Sequence, residues 1–249
     1  MNGLRHRAAD VLPLAETLLD RLRSRAERVE IAGSLRREAY DVKDVELLVM
    51  SPTAAFYDYT EQLVAGGHAE KAIYADGKQR WGLKYRGLTI QGIKIELFTA
   101  DRDNWGYQYW LRTGPGNANK YLMSVRASGS GARFHFRDGY AWAHEQRLRL
   151  ASEADFFALC GLPEIEPRRR SEKLYRQLFG EGHVWGDPAT FVIAPAPPPP
   201  ATSGEREDYE TYWQKHGDDL TQWYENPDMS APPPACWVER HGPWKDPTK

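Results

Sequence analysis

The sequence predicts an α+β fold, and three observations carry that prediction. Residues 45–50 (VELLVM) form a short, nearly continuous apolar run, which suits a strand buried on both faces. Helix-length segments lie on either side of it, at 8–28 and 56–65. Alternating residues at 81–85 and 88–99, broken by Arg86-Gly87, read as a hairpin. The order helix, strand, turn, strand, helix, hairpin is not the regular alternation of a βαβ winding.

Each element has its own justification. Ala8, Val11, Leu12, Ala15, Leu18, Leu19 and Leu22 recur with helical period. Residues 28–32 form a strand-like run that stops at Gly33-Ser34. Beyond 105 come an aromatic stretch (Trp105, Tyr107, Tyr109, Trp110), a Gly/Pro turn and a helix over 117–127. A hairpin is expected over 134–142 around Asp138-Gly139, then a helix over 153–159 and a basic triplet, Arg168, Arg169 and Arg170. Twelve of the 17 prolines lie beyond 187, so 194–204 reads as an extended, semi-rigid linker. The acidic tail beyond it holds Trp213, Trp223, Trp237 and Trp244, more than a disordered tail usually carries, and is expected to dock on its own domain or on a protein partner. The division expected is 1–105, 106–180 and 181–249.

Composition excludes several classes. A mean hydropathy of -0.68, with no apolar run approaching 18 residues, excludes a membrane-spanning helix. MNGLRHRAAD is no secretory signal, and Cys160 and Cys236 fit neither a disulfide framework nor zinc spacing, so a reduced, cytoplasmic setting is expected. The net charge of -2 hides a segregation: zero over 1–105, +5 over 106–180 and -7 over 181–249. A basic middle segment is compatible with a polyanion partner and equally with an ordinary solvated surface.

Three acids stand where strands present them. Asp44 and Glu46 are two apart and share a strand face, and Glu96 sits inside the apolar run 93–98. A lone acid in an apolar strand is costly unless it is paired or holds a metal. If the two strands are neighbours, the carboxylates converge and favour divalent cations with oxygen ligands, Mg²⁺ first. A D-x-E pair alone is more often structural than metal-binding. Gly33-Ser34, just upstream, changes the balance. Glycine admits a ligand close to the backbone, Ser34 opens a turn with free amides, and Arg37 can grip a phosphate bidentately.

These residues resemble a known signature. The run 31–37 (IAGSLRR) together with 44–49 (DVELLV) is similar to the nucleotidyltransferase motif of family X DNA polymerases, the group of polymerase beta: Gly-Ser, an Arg three residues after the Ser, and acids ten and twelve after it. Ile95-Glu96-Leu97-Phe98 resembles the strand of the third acid, and Thr113-Gly114 the Thr-Gly turn between palm and thumb. Asn119 falls where a nucleotide-contacting Asn is expected, and 156–163 with Pro167 resembles the C-terminal thumb segment. The resemblance spans roughly residues 8–170.

It implies a nucleotidyltransferase palm with a mixed sheet and flanking helices (1–105), a small α+β thumb (106–180) and a Pro/Trp-rich tail. It further implies two Mg²⁺ ions, with Mn²⁺ as the alternative, held by Asp44, Glu46 and Glu96. Gly33, Ser34, Arg37, Thr113, Gly114 and Asn119 would bind a dNTP, and Lys120 and Arg126 would contact primer-template or gapped DNA. Two of the three acids are Glu where the family has Asp, which leaves Mg²⁺ against Mn²⁺ open. Leu111-Arg112 replaces the aromatic pair that screens the sugar, with Tyr109 or Trp110 as alternative occupants of that space. Met123 replaces a template-contacting Arg, for which Arg126 is a nearby substitute. Too little chain precedes Gly33 for lyase and fingers domains, so the minimal palm-plus-thumb form of small viral members is expected, as a monomer in a bacterial or viral setting. The function expected is repair-type DNA synthesis. The alternatives are nucleotidyl transfer to RNA, protein or a small molecule, and a catalytically weak DNA-binding scaffold.

Overall fold

Local sequence and strand pairing together decide where the elements fall. The computed structural model of the chain describes residues 4–127, 131–180 and 182–194, and residues 1–194 belong to one compact unit. The proline linker and the tryptophan tail lie outside the described residues. In chain order the first elements are β1 (His6–Arg7), α1 (Ala8–Arg23), β2 (Ala26–Ile31), α2 (Gly33–Arg36), β3 (Asp41–Val42) and β4 (Val45–Pro52). They are followed by α3 (Ala54–Ala65), β5 (Glu70–Lys71), β6 (Tyr85–Ile90) and β7 (Ile93–Ala100). Helix α1 stops earlier than its periodicity alone suggests. Ala26 is already paired with Pro52 at the end of β4, and that ladder fixes the break.

Five strands form one mixed sheet in the order β2-β4-β7-β6-β5. β4 and β7 run parallel, and the other pairings are antiparallel. The hairpin β6–β7 is present, but its turn lies at Gln91-Gly92 and not at Arg86-Gly87. Gln91 and Gly92 have φ of 52° and 77°, the left-handed pair that a two-residue hairpin turn requires. Gly87 stays within β6, because a Cβ there would lie 2.5 Å from the Tyr74 hydroxyl.

The strand period sorts the sheet into two unlike faces. Val45, Leu47 and Val49 of β4 and Ile95 and Leu97 of β7 join Val11, Leu18, Leu22 and Phe56 in one buried core. On the opposite face, Leu48, Phe98 and Ala100 pack against Trp105 in a smaller cluster. Glu46 and Glu96 share that second face by the alternation of side chains, toward the start of the same two strands.

The remaining elements are α4 (Trp105–Thr113), α5 (Gly116–Ala127), β8 (His135–Arg137), β9 (Tyr140–Ala143), β10 (Gln146–Leu148), α6 (Glu153–Leu159), a 3₁₀ turn (Pro167–Arg169) and α7 (Glu172–Leu178). The aromatic stretch is therefore a helix, and the turn at Asp138-Gly139 joins β8 to β9 as expected. These elements enclose an aromatic core in which the Trp110 ring lies 4.2 Å from that of Phe156, and the Trp110 indole N–H donates to the Tyr175 hydroxyl at 2.9 Å.

Ser152 and Asp155 cap α6 reciprocally. Glu153, in its first turn, is buried between two arginines: it accepts from Arg170 at 2.7 Å and also pairs with Arg36. The basic triplet is thus not a uniform surface patch, since Arg170 is 4% exposed and committed to Glu153. Replacing Glu153 with Ala strands a buried guanidinium. We expect a loss of about 3–5 kcal/mol, read as a lower urea midpoint with an unchanged slope.

Candidate active site

The parallel register sets Glu46 directly opposite Glu96. Asp44 lies just before β4, so the neighbouring strands bring all three acids to one edge of the sheet face, as the sequence suggested they would if paired. Burial and the charges of Asp44 and Glu96 push the Glu46 carboxyl up to about 8, while Arg112 and Arg37 pull the other way. This is the behaviour of carboxylates gathered without enough positive charge.

Positive charge does reach the cluster, first from Lys94, which carries no motif of its own. The Lys94 ammonium lies 3.0 Å from Asp44 Oδ2 and 2.6 Å from Glu96 Oε1. The Tyr74 hydroxyl donates to Glu96 Oε1 at 3.2 Å, and burial, with the neighbouring Glu96 charge, raises the Tyr74 pKa. Arg112 stacks over Phe98, its guanidinium carbon 4.0 Å from the ring centroid, and its buried Nε has no hydrogen-bond partner. Burial lowers its pKa, and the charges of Glu46 and Glu96 oppose that. The sequence places Arg112, with Leu111, where the family has a sugar-screening aromatic pair. Arg112 is instead folded back toward the acids.

Gly33 is held at φ +63° at the start of α2, and a Cβ there would lie 1.7 Å from Glu46 Oε2. The glycine therefore makes room for the Glu46 side chain. Ser34 and Arg37 line a cleft of about 280 Å³ together with Arg5, Lys43, Asp44 and Glu46, so cations and carboxylates share its wall. Arg5 reaches it because β1 pairs with β3, a contact with no local sequence signal.

Arg37 also donates to the Thr113 carbonyl, and Arg36 donates to Thr113 Oγ1 at 2.7 Å while lying 3.5 Å over the Tyr109 ring. Thr113 and Gly114 are therefore next to the cleft's arginine, and the Gly114-Pro115 peptide is cis. Asn119 is buried, donates to the Leu111 carbonyl at 2.8 Å, and leaves its Oδ1 without a partner. Lys120 is exposed on α5, and half-buried Arg126 donates to the Phe134 carbonyl at 3.3 Å.

Among the described residues, no three carboxylate, histidine or cysteine groups stand in metal-holding geometry. The donor set nevertheless suits a hard divalent cation. It is all oxygen, and it already gathers a cationic group between Asp44 and Glu96.

No protein-family model and no curated protein matches the chain. Among solved structures, the chain is similar to the polymerase beta of Leishmania infantum in its ternary P/T complex, with a TM-score of 0.54 at 12% identity over 68% of this chain and 77% of that one. The likeness shows the fold alone: a polymerase-beta-like fold with a five-stranded mixed sheet and flanking helices.

Two outcomes follow from this geometry. Gly33→Ala forces a side chain into the left-handed region and against Glu46, so it should destabilise the protein by at least about 1–2 kcal/mol in urea melts. The raised Glu46 pKa favours folding fully below its ordinary value of 4.5, and that contribution is lost as pH rises through about 8. Without divalent ions, the melting temperature should therefore fall across this window, and Glu46→Gln should flatten the fall.

Proposed function

We propose that the chain is a template-directed DNA polymerase of repair type, adding a deoxynucleotide to a primer 3′-hydroxyl, with residues 1–105 as palm and 106–180 as thumb. The observation that carries this is the facing pair Glu46 and Glu96 beside the cleft of Ser34 and Arg37, on a polymerase-beta-like fold.

In this reading Ser34 and Arg37, with Arg5 and Lys43, hold the β- and γ-phosphates in the cleft they line. Asp44, Glu46 and Glu96 would hold two divalent ions, which would supply the charge that eases deprotonation of the hydroxyl and polarises the α-phosphoryl group. The 3′-oxygen bonds to the α-phosphorus, the bond to pyrophosphate breaks with its electron pair leaving on pyrophosphate, and the Glu96 carboxylate takes the hydroxyl proton. Asn119 and the Thr113-Gly114 turn position the base and sugar, and Lys120 and Arg126 meet the DNA backbone.

Primer extension on gapped, nicked and single-stranded DNA, with Mg²⁺ or Mn²⁺, tests the reading. Incorporation on gapped DNA is the expected result, and absence of transfer on every substrate would overturn it. Glu96→Ala should abolish transfer in a folded protein. Arg37→Ala should chiefly raise the KM for dNTP, by about ten-fold or more, because phosphate contacts act in the ground state too.

Discrimination against ribonucleotides should be weak. Trp110 is fixed on Tyr175, Tyr109 donates to the Ile31 carbonyl at 3.2 Å, Leu111 packs on the aromatic core, and Arg112 covers Phe98, so neither aromatic of residues 109–112 is free to screen the 2′ position. Paired single-nucleotide insertion kinetics should give a preference well under a thousand-fold, or ~4 kcal/mol.

A further inference from the structure

Lys94 lies two residues before Glu96 on β7, so both side chains project from the same strand face. Asp44 comes from the entry to the neighbouring strand. The Lys94 ammonium bridges the two, 3.0 Å from Asp44 Oδ2 and 2.6 Å from Glu96 Oε1. The three side chains are 24%, 17% and 13% exposed, so the bridge is shielded but not sealed. The Tyr74 ring flanks it, its centroid 5.0 Å from Nζ, and the Tyr74 hydroxyl holds the same Glu96 oxygen. No ion pair to Glu46 forms among the described residues. The Lys94 ammonium therefore compensates Asp44 and Glu96 directly and leaves Glu46 to other groups.

We propose that Lys94 is the site's resident counter-cation, a positioning residue whose ammonium holds Asp44 and Glu96 together without metal and must swing aside before a divalent ion can use those oxygens. The inference rests on the metal-dependent reading above and deepens it. A lysine suits the role: it is a point charge on a flexible four-carbon stem, able to leave toward solvent without disturbing the strand. Metal loading is then an exchange of one cation for another. If the ammonium prefers the bridging position by about ten to one, the apparent Kd for metal is raised about ten-fold.

Direct Mn²⁺ binding to the full chain, followed by the electron paramagnetic resonance of free Mn²⁺, tests this in wild type, Lys94→Met, Lys94→Arg and Glu96→Ala. Lys94→Met should bind Mn²⁺ about ten-fold more tightly than wild type. Its melting temperature should be depressed in chelator and recovered by Mn²⁺, a metal-dependent recovery that loss of an ordinary structural ion pair would not give. Lys94→Arg, which restores a cationic bridge, should bind no more tightly than wild type.

Equal or weaker binding by Lys94→Met overturns the proposal, and so does ten-fold tighter binding by Lys94→Arg should the Met variant fail to fold. In either case binding that disappears in Glu96→Ala leaves the metal-dependent reading standing. If no form binds Mn²⁺ in a Glu96-dependent way, both fail together.

Discussion

The parallel pairing of β4 with β7, with Glu46 opposite Glu96, is the constraint on which the rest of the molecule depends. Two carboxylates facing each other across a ladder repel, and burial strengthens the repulsion. The fold tolerates it because the two strands divide along their length. Their odd positions fill the main core, while on the even face Leu48, Phe98 and Ala100 meet Trp105 beyond the acids. Apolar packing on both faces thus secures the register, and the acidic end is held in place by contacts made elsewhere on the same strands.

Compensating charge arrives from several directions, and the two arginines among the sources have a second task. Lys94 is local to β7. Arg112 comes from α4 and stacks on Phe98 of the sheet. Arg37 comes from the end of α2 and also holds the carbonyl of Thr113. Its neighbour Arg36 carries the chain of contacts onward to Tyr109, Thr113 and, through Glu153, to Arg170. Two consecutive arginines therefore couple the acidic edge to the helix that follows the sheet, and that helix to the aromatic core of the later elements.

Much of the acidic edge was legible from strand period alone. VELLVM identified β4, the spacing of Asp44 and Glu46 gave their common side, and the apolar context of Glu96 marked an acid needing compensation. Lys94 follows from the same period-two argument, but its importance depends on the register that sets Asp44 beside it, and register is not local information. The turn of the β6–β7 hairpin was misplaced because Arg86-Gly87 and Gln91-Gly92 are equally good turn signals locally. Only the approach of Tyr74 reveals why Gly87 belongs in the strand. The buried pairing of Arg170 and the stacking of Arg112 carry no local sequence signal, because their partners, Glu153 and Phe98, lie in other elements.

Glutamate in two of the three acidic positions has a structural consequence. Glu46 reaches far enough to place its carboxylate where a side chain on residue 33 would stand, 1.7 Å from the missing Cβ. The glycine of the Gly-Ser turn is then required twice over: by its positive φ and by the length of the acid packed against it. Glu96 is reached from the other side by both Lys94 and Tyr74. The longer acids are therefore accommodated by their neighbours, and the strands keep an unbroken ladder from Val45 and Ile95 to Met50 and Ala100. Gly33, Glu46, Lys94 and Glu96 consequently behave as one set, in which the identity of each residue is conditioned by the reach of the others.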